Sequence, residues 1–312
     1  MKILVPVKNL FFWIEVIKNW ADEIYFWFTS EEWLQKYNHT NPLNARSMYH
    51  SMNSYKSAKK LIDYANSKNV HTYITLNRVP PYVDEELLEK EIKNIISLKP
   101  SWIIFKDLYI AEIIRKFDKD IVLHCSSLNQ VINKNSIFFW VETYNVKRII
   151  LPRNIAFNEI IDLCNCFPNL EFEIFVKNSW CYNSDWVCSS IHEEWLKKWL
   201  KYVCFREEDY KSENEVFNKQ FHDFNNKLVC KMCIVWKLKQ LKNLVSIKIV
   251  WRDKTLPRIL NDLEFVKKSR DLLYKTDNYD QFVEETMDIH KKVVWKRCWF
   301  NTCEFYNYYY KK

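Results

Sequence analysis

Thr72-Tyr73-Ile74-Thr75-Leu76 and Trp102-Ile103-Ile104-Phe105-Lys106 are two short runs rich in β-branched and aromatic residues, and between them Asp84 to Ser97 carries apolar residues at helical spacing. Hydrophobicity in both runs is continuous rather than alternating. A strand read that way is buried on both faces, and strands buried on both faces and separated by helices pair in parallel. This β-α-β unit is the element from which the rest of the chain can be read.

The same alternation extends in both directions. Further strand-like runs are Ile3 to Val7, Glu23 to Phe28, Ile121 to His124, Arg148 to Leu151, Phe172 to Val176 and Ser246 to Val250. Helical patterns cover Leu10 to Asn19, Tyr55 to Ser67, Tyr109 to Phe117, Gln130 to Tyr144 and Asn158 to Cys166, with Leu260 to Tyr274 and Gln281 to Val293 after the last strand. Eight strands in this order predict an α/β protein, a (β/α)8 TIM-like barrel, with a doubly wound open sheet as the runner-up. Thr29 to Ser54 is a long connection, and the largest insertion, residues 177–245, follows the seventh strand and is rich in cysteine. The expected layout is a barrel over 1–255 that includes this insertion, and a C-terminal helical extension and tail over 256–312.

The 312 residues include no glycine, where average usage of about 7% would supply roughly 22. Dinucleotide fingerprints, phosphate-binding Walker loops, G-x-S-x-G elbows and EF-hand loops all need glycine, so these classes are excluded. Helices must then end on something else. Asn69, Asn145 and Asn243 each follow a helical pattern and precede a strand, and asparagine is the next-best residue for a left-handed cap. A net charge of +8 suits an anionic partner such as RNA without requiring one. The apolar run at the N-terminus is too short for a signal peptide, and nothing reaches the roughly 18 apolar residues of a membrane span. A cytoplasmic protein with no membrane partner is expected, and ten cysteines there read first as reduced thiols or metal ligands.

Function in such a barrel gathers at the C-terminal ends of the strands, whose loops converge on one mouth. Candidates just past those ends are Asn77, Asp107, His124, Ser126, Ser127 and Arg153, and Arg46 and Arg153 could together clamp a carboxylate. Cys181, Cys188, Cys204 and the C-x-x-C pair Cys230 and Cys233 fall in the insertion at the same face. Four thiolates would satisfy the count for a [4Fe–4S] cluster or a zinc ion, but the spacing matches neither the tight ferredoxin run nor a paired-knuckle zinc site and does not decide between them, with inert thiols as the remaining alternative. Cys125, Cys164 and Cys166 lie in or beside regular elements and read as core or surface residues.

Glu173-Ile174-Phe175-Val176-Lys177-Asn178-Ser179-Trp180-Cys181, followed by Trp186-Val187-Cys188, resembles the collagenase-like peptidase family U32, whose signature runs E-x-F-x-x-G-[SA]-x-C-x4-G-x-C. Glu173, Phe175, Ser179, Cys181 and Cys188 match, and the two glycines are here Asn178 and Trp186. Asn44-Ala45-Arg46, Tyr73 to Asn77, His124 with Ser126 and Ser127, Leu151-Pro152-Arg153 and Ser246 to Val250 resemble the same family in the same order. Family glycine positions are occupied by Lys8, Trp20, Trp27, Asn69, Lys99, Trp102, Asn145, Trp180, Trp186, Asn243 and Trp251.

The resemblance implies a barrel whose members were first described as proteases. Its better-understood relatives are iron–sulfur proteins supporting oxygen-independent hydroxylation of RNA bases or ubiquinone precursors, with prephenate implicated as oxygen donor in some. It assigns a 4Fe-4S cluster to Cys181, Cys188, Cys204 and Cys233, with Cys230 as a spare, and zinc or no metal as alternatives. On this reading His124 and Glu173 are catalytic, and Arg46, Asn77, Asp107, Ser126 and Arg153 bind the substrate, an RNA or a small anion such as prephenate. A partner subunit is compatible with it. Proteolysis is the competing activity, although no nucleophile–base pair or H-E-x-x-H helix supports it. The third reading is a barrel made inactive by the loss of its glycines.

Overall fold

The computed structural model describes residues 1–37, 43–44, 51–78, 84–153, 155–177, 230–250 and 255–294. Eight parallel strands close into a barrel in sequence order: β1 (Lys2–Pro6), β2 (Glu23–Trp27), β3 (His71–Leu76), β4 (Trp102–Phe105), β5 (Val122–Cys125), β6 (Val146–Ile150), β7 (Glu171–Lys177) and β8 (Leu244–Ile249). Closure is made by β8 on β1, where Lys2, Ile3 and Leu4 pair with Ser246, Ile247 and Lys248. The open sheet is thereby set aside. Among the described residues the helices are α1 (Leu10–Lys18), α2 (Glu31–Tyr37), α3 (Tyr55–Ser67), α4 (Glu85–Ser97), α5 (Leu108–Phe117), α6 (Lys134–Tyr144), α7 (Phe157–Cys166), α8 (Met232–Leu238), α9 (Leu256–Leu273) and α10 (Tyr279–Val294).

Successive side chains of a strand alternate between the lumen and the helix layer. Ile3, Val5, Ile24, Phe26, Ile74, Leu76, Ile103 and Phe105 face outward into the main core, where α3 meets them with Ala58, Leu61, Ile62 and Ala65. That spacing of three and four residues puts one helical stripe against the sheet. Leu4, Tyr25, Tyr73, Ile104, Ile150, Phe175 and Val250 face inward. Burial on both faces explains why the strands read as continuous apolar runs.

Side-chain caps fix where several helices start. Asn9, Ser54, Asp84, Asp107 and Asn133 each accept a hydrogen bond from a backbone N–H in the first turn of α1, α3, α4, α5 and α6. Helix ends bear on the missing glycines. Among the described residues φ is positive at Trp20 (69°), Asn69 (57°), Lys99 (57°), Gln130 (48°) and Asn145 (49°). Four of these five are positions where the family resemblance places glycine. At α1 the Trp20 N–H reaches the Ile17 carbonyl (3.2 Å) and the Ala21 N–H the Val16 carbonyl (3.3 Å), the paired bonds of a Schellman end.

Several expectations need correction. Asn243 is not left-handed. Its side-chain amide instead donates to the Cys164 and Phe167 carbonyls, both at 2.9 Å, and so ties the start of β8 to the end of α7. Trp27 and Trp102 have ordinary backbone and use their rings: Trp102 stacks on His71 and Tyr73 in the lumen. Helix α6 starts four residues later than the apolar pattern suggests, because Gln130 turns left-handed and Asn133 caps. Helix α2, inside the long connection after β2, carries too short a pattern to be read from sequence.

The C-terminal helices pack on the barrel. Arg270 of α9 pairs with Asp22, which also accepts from the Ile3 N–H (2.8 Å) at the base of β1. At the top of β7 a register shift between Phe175 and Lys177 accompanies a turn of Lys177 toward the helices. Its ammonium meets His290 Nε2 at 2.7 Å and Asp262 at 3.9 Å, all three side chains being buried.

Candidate functional site

The lumen is stratified by charge. Toward the base, Arg148 is wholly buried and binds both carboxylate oxygens of Glu23 (2.9 and 3.2 Å), Glu173 (3.3 Å) and Glu171 (2.7 Å). Ser246 donates to Glu23 (2.8 Å), and the guanidinium lies 4.6 Å from the Trp102 ring centre. Burial opposes ionisation of Glu23, but its contacts with Arg148, backed by Tyr73 and Ser246, outweigh that and hold its carboxyl below the ordinary value. Sequence reading missed this network, because Glu23 and Arg148 open strand-like runs and give no sign that their side chains point inward to one centre.

His124 sits above this layer with no exposure, against the rings of Trp102 (4.3 Å between centres) and Tyr73 (5.1 Å). Neither ring nitrogen has a hydrogen-bond partner among the described residues. Burial, reinforced by the Arg148 and Lys248 charges, pushes its pKa well down, so the ring is neutral. Glu173 is equally buried and accepts from Lys248 (2.9 Å) as well as Arg148. The sequence-assigned pair His124 and Glu173 therefore lies inside the barrel, on β5 and β7, with Glu173 engaged by two cations.

The remaining candidates rim the mouth. Asn77 follows β3 and is half-buried. Asp107 follows β4 and caps α5, its carboxylate accepting from the Tyr109 (3.0 Å) and Ile110 (3.4 Å) N–H groups. Ser126 follows β5, is buried, and accepts from the Leu128 N–H (3.3 Å). Arg153 follows β6. Its guanidinium lies 4.7 Å from the Phe175 ring centre, and its carbonyl accepts from Lys231. A cavity of 230 Å³ adjoins it, walled by Ile155, Phe157, Ile160, Ile174 and Ile234, with Arg153 and Lys231 at its polar side. Arg46, Cys181, Cys188 and Cys204 lie outside the described residues, as do Trp180 and Trp186.

Of the cysteine set, Cys233 is described in the first turn of α8, and Cys230 just before it pairs with Lys177 where the insertion returns to the barrel. Both are half-buried. Cys125 on β5 and Cys164 on α7 are buried thiols pushed up to about 12 by desolvation, and Cys166 is exposed at the end of α7. These three belong to the core or the surface, as their placement in regular elements suggested. No group of three or more metal-ligating side chains occurs among the described residues.

Residues 13–308 match the family described as Peptidase family U32. The chain belongs to that family. Within U32 it is similar to the tRNA hydroxylation protein P of Helicobacter pylori (strain ATCC 700392 / 26695), 32% identical over 126 residues, which is 40% of this chain and 29% of that protein. The proteins of the same name from Haemophilus influenzae (28% over 120 residues) and Escherichia coli K12 (24% over 120 residues) each match over 38% of this chain and 26% of their own length. The matched stretch thus spans under a third of these relatives. Among solved structures, that of the U32 peptidase Mk0906 has a TM-score of 0.49 at 10% identity, covering 80% of this chain and 93% of the other. No helix among the described residues is long and apolar enough to cross a membrane.

Proposed function

We propose that this U32 chain takes part in the hydroxylation of tRNA, with a [4Fe–4S] cluster held by Cys181, Cys188, Cys204 and Cys233. The observation that carries the reading is the match to several proteins named tRNA hydroxylation protein P. A net charge of +8 suits a polyanionic substrate. Thiolates are the donors such a cluster needs, and the two cysteines described at the return of the insertion lie at the C-terminal face of the barrel, where the loops converge. When bound, the cluster would supply one-electron chemistry.

The chain's own residues would do the rest. Arg153, with Arg46, would hold a small anion through its planar fork. His124, neutral and enclosed, can donate from one ring nitrogen and accept at the other. Asn77 and Ser126 present polar groups at the adjacent rim. Proteolysis has less support, because neither nitrogen of His124 contacts a hydroxyl or thiol among the described residues, and the Cys125 thiol is held protonated.

Nucleoside mass spectrometry tests the activity. In a bacterium deleted for its own tRNA hydroxylation protein P, this chain should restore the hydroxylated nucleoside. Its absence in cells that accumulate soluble, iron-loaded protein would overturn the reading. The ligand set is tested separately: Cys181→Ser and Cys188→Ser should abolish bound iron, whereas Cys164→Ser and Cys166→Ser should leave it unchanged.

A further inference from the structure

We infer that Lys248 is an imine-forming lysine, which takes the carbonyl carbon of a small 2-oxo acid whose carboxylate pairs with Arg153. The inference stands apart from the tRNA reading, since it rests only on the residues at the floor of the mouth.

Lys248 lies on β8 and faces inward, paired in register with Leu4 of β1 and Phe175 of β7, both lumen residues. Exposure marks its depth. Glu23, His124, Arg148 and Glu173 are fully closed off, whereas Lys248 keeps 4%, close to the values at Tyr25, Phe175 and Val250 around it. Its amine is therefore where the mouth ends and the sealed ionic layer begins.

The surroundings are those a nucleophilic amine needs. Its Nζ lies 4.2 Å from the Tyr25 ring centre and 5.8 Å from that of Phe175, so aromatic walls rather than water flank it. Burial, with the Arg148 and Arg153 charges and against the pull of Glu173, lowers the pKa of the amine and favours the neutral form that attacks. Glu173 Oε1, at 2.9 Å, is the proton acceptor in place. The carboxylate preference comes from Arg153, whose guanidinium borders the same Phe175 ring at 4.7 Å. Both cations border the Phe175 ring, and the Arg153 charge acts on the Lys248 amine, so a carbonyl next to a carboxylate is the ligand chemistry that this pair would take.

The step balances without any oxidant. Glu173 takes a proton from the Lys248 ammonium, and the freed nitrogen pair forms a C–N bond to the carbonyl carbon as the C=O π pair moves to oxygen. That oxygen then takes a proton from the attacking nitrogen, which has become positive, leaving a neutral carbinolamine. Glu173 passes its proton on as the C–O bond breaks and water leaves, giving a protonated C=N bond to Lys248.

Reductive trapping tests the proposal on the full-length protein. With pyruvate and cyanoborohydride, peptide mapping should find a carboxyethyl group on Lys248 at about tenfold the yield of any other lysine. Lys248→Arg, which keeps the charge beside Glu173, should lose that adduct while circular dichroism stays unchanged. Arg153→Gln should lower the pyruvate adduct about tenfold and leave the adduct of the neutral carbonyl propanal within about twofold, the loss expected for one charge-assisted contact. An unmodified Lys248 in folded wild-type protein would overturn the assignment, as would equal labelling of exposed lysines. Pyruvate labelling indifferent to Arg153→Gln would refute the acid specificity.

Discussion

Returning glycine to helix ends should stabilise this protein at some positions and harm it at others, and the backbone angles say which. Lys99 follows α4 at φ 57° with an exposed side chain. A left-handed residue bearing a Cβ costs about 1–2 kcal/mol, and glycine costs roughly 0.5–1 kcal/mol in extra freedom of the unfolded chain. Lys99→Gly should therefore gain about 0.5–1 kcal/mol. Trp20, at φ 69°, gains the same backbone relief but loses the Lys267 ammonium stacked 4.7 Å from its ring centre. That contact is worth about 0.5–1 kcal/mol at an exposed site, so Trp20→Gly should come out near neutral. Asn145→Gly should change little, since asparagine tolerates φ 49°. Trp102→Gly should lose about 3–5 kcal/mol, because there the ring fills the lumen beside Tyr73 and Arg148. Urea unfolding followed by circular dichroism ranks the four. A destabilised Lys99→Gly, or a harmless Trp102→Gly, would refute the reasoning that backbone angle, rather than family pattern, decides where glycine helps.

Other expectations follow from the lumen and the mouth. Arg148→Met should cost about 3–5 kcal/mol by leaving Glu23 and Glu173 buried beside a neutral chain, and a denaturation midpoint equal to wild type would contradict the network. The pKa of His124 is lowered on folding, so the unfolded state binds the extra proton first; its contribution is present above the ordinary value of 6.5 and lost as the pH falls below it, and His124→Phe should flatten that slope. Glu23 is also depressed, so its contribution is present above 4.5 and lost as the pH falls through the lower folded value; Glu23→Gln, destabilised overall, should show a weaker acid transition. Trp180→Gly with Trp186→Gly should raise iron occupancy if bulk beside Cys181 and Cys188 hinders cluster assembly, and unchanged iron in folded protein would show that it does not.

Much of the architecture was readable because the barrel imposes a repeating local pattern. Strands buried on both faces must be continuously apolar, as at Thr72 to Leu76, and helices with one buried face must repeat at three and four residues, as at Ala58, Leu61, Ile62 and Ala65. The ends of elements were less readable. Gln130 sits in a left-handed turn that no residue preference announces, and α2 is too short to show a period.

The sequence by itself therefore determined the alternation, the strand number, the caps at Asn69 and Asn145 and the positions of Asn77, Asp107, Ser126 and Arg153 just past strand ends, since each depends on neighbours a few positions apart. Closure of the ring was decided only by tertiary structure, because it rests on β8 meeting β1 across the whole chain. The meeting of Glu23, Arg148, Glu173 and Lys248 was decided there too. Those residues come from β2, β6, β7 and β8, and nothing local records that four charged side chains share one dry centre. Local pattern fixes which face a residue belongs to, while shear and closure of the barrel fix whom it meets there.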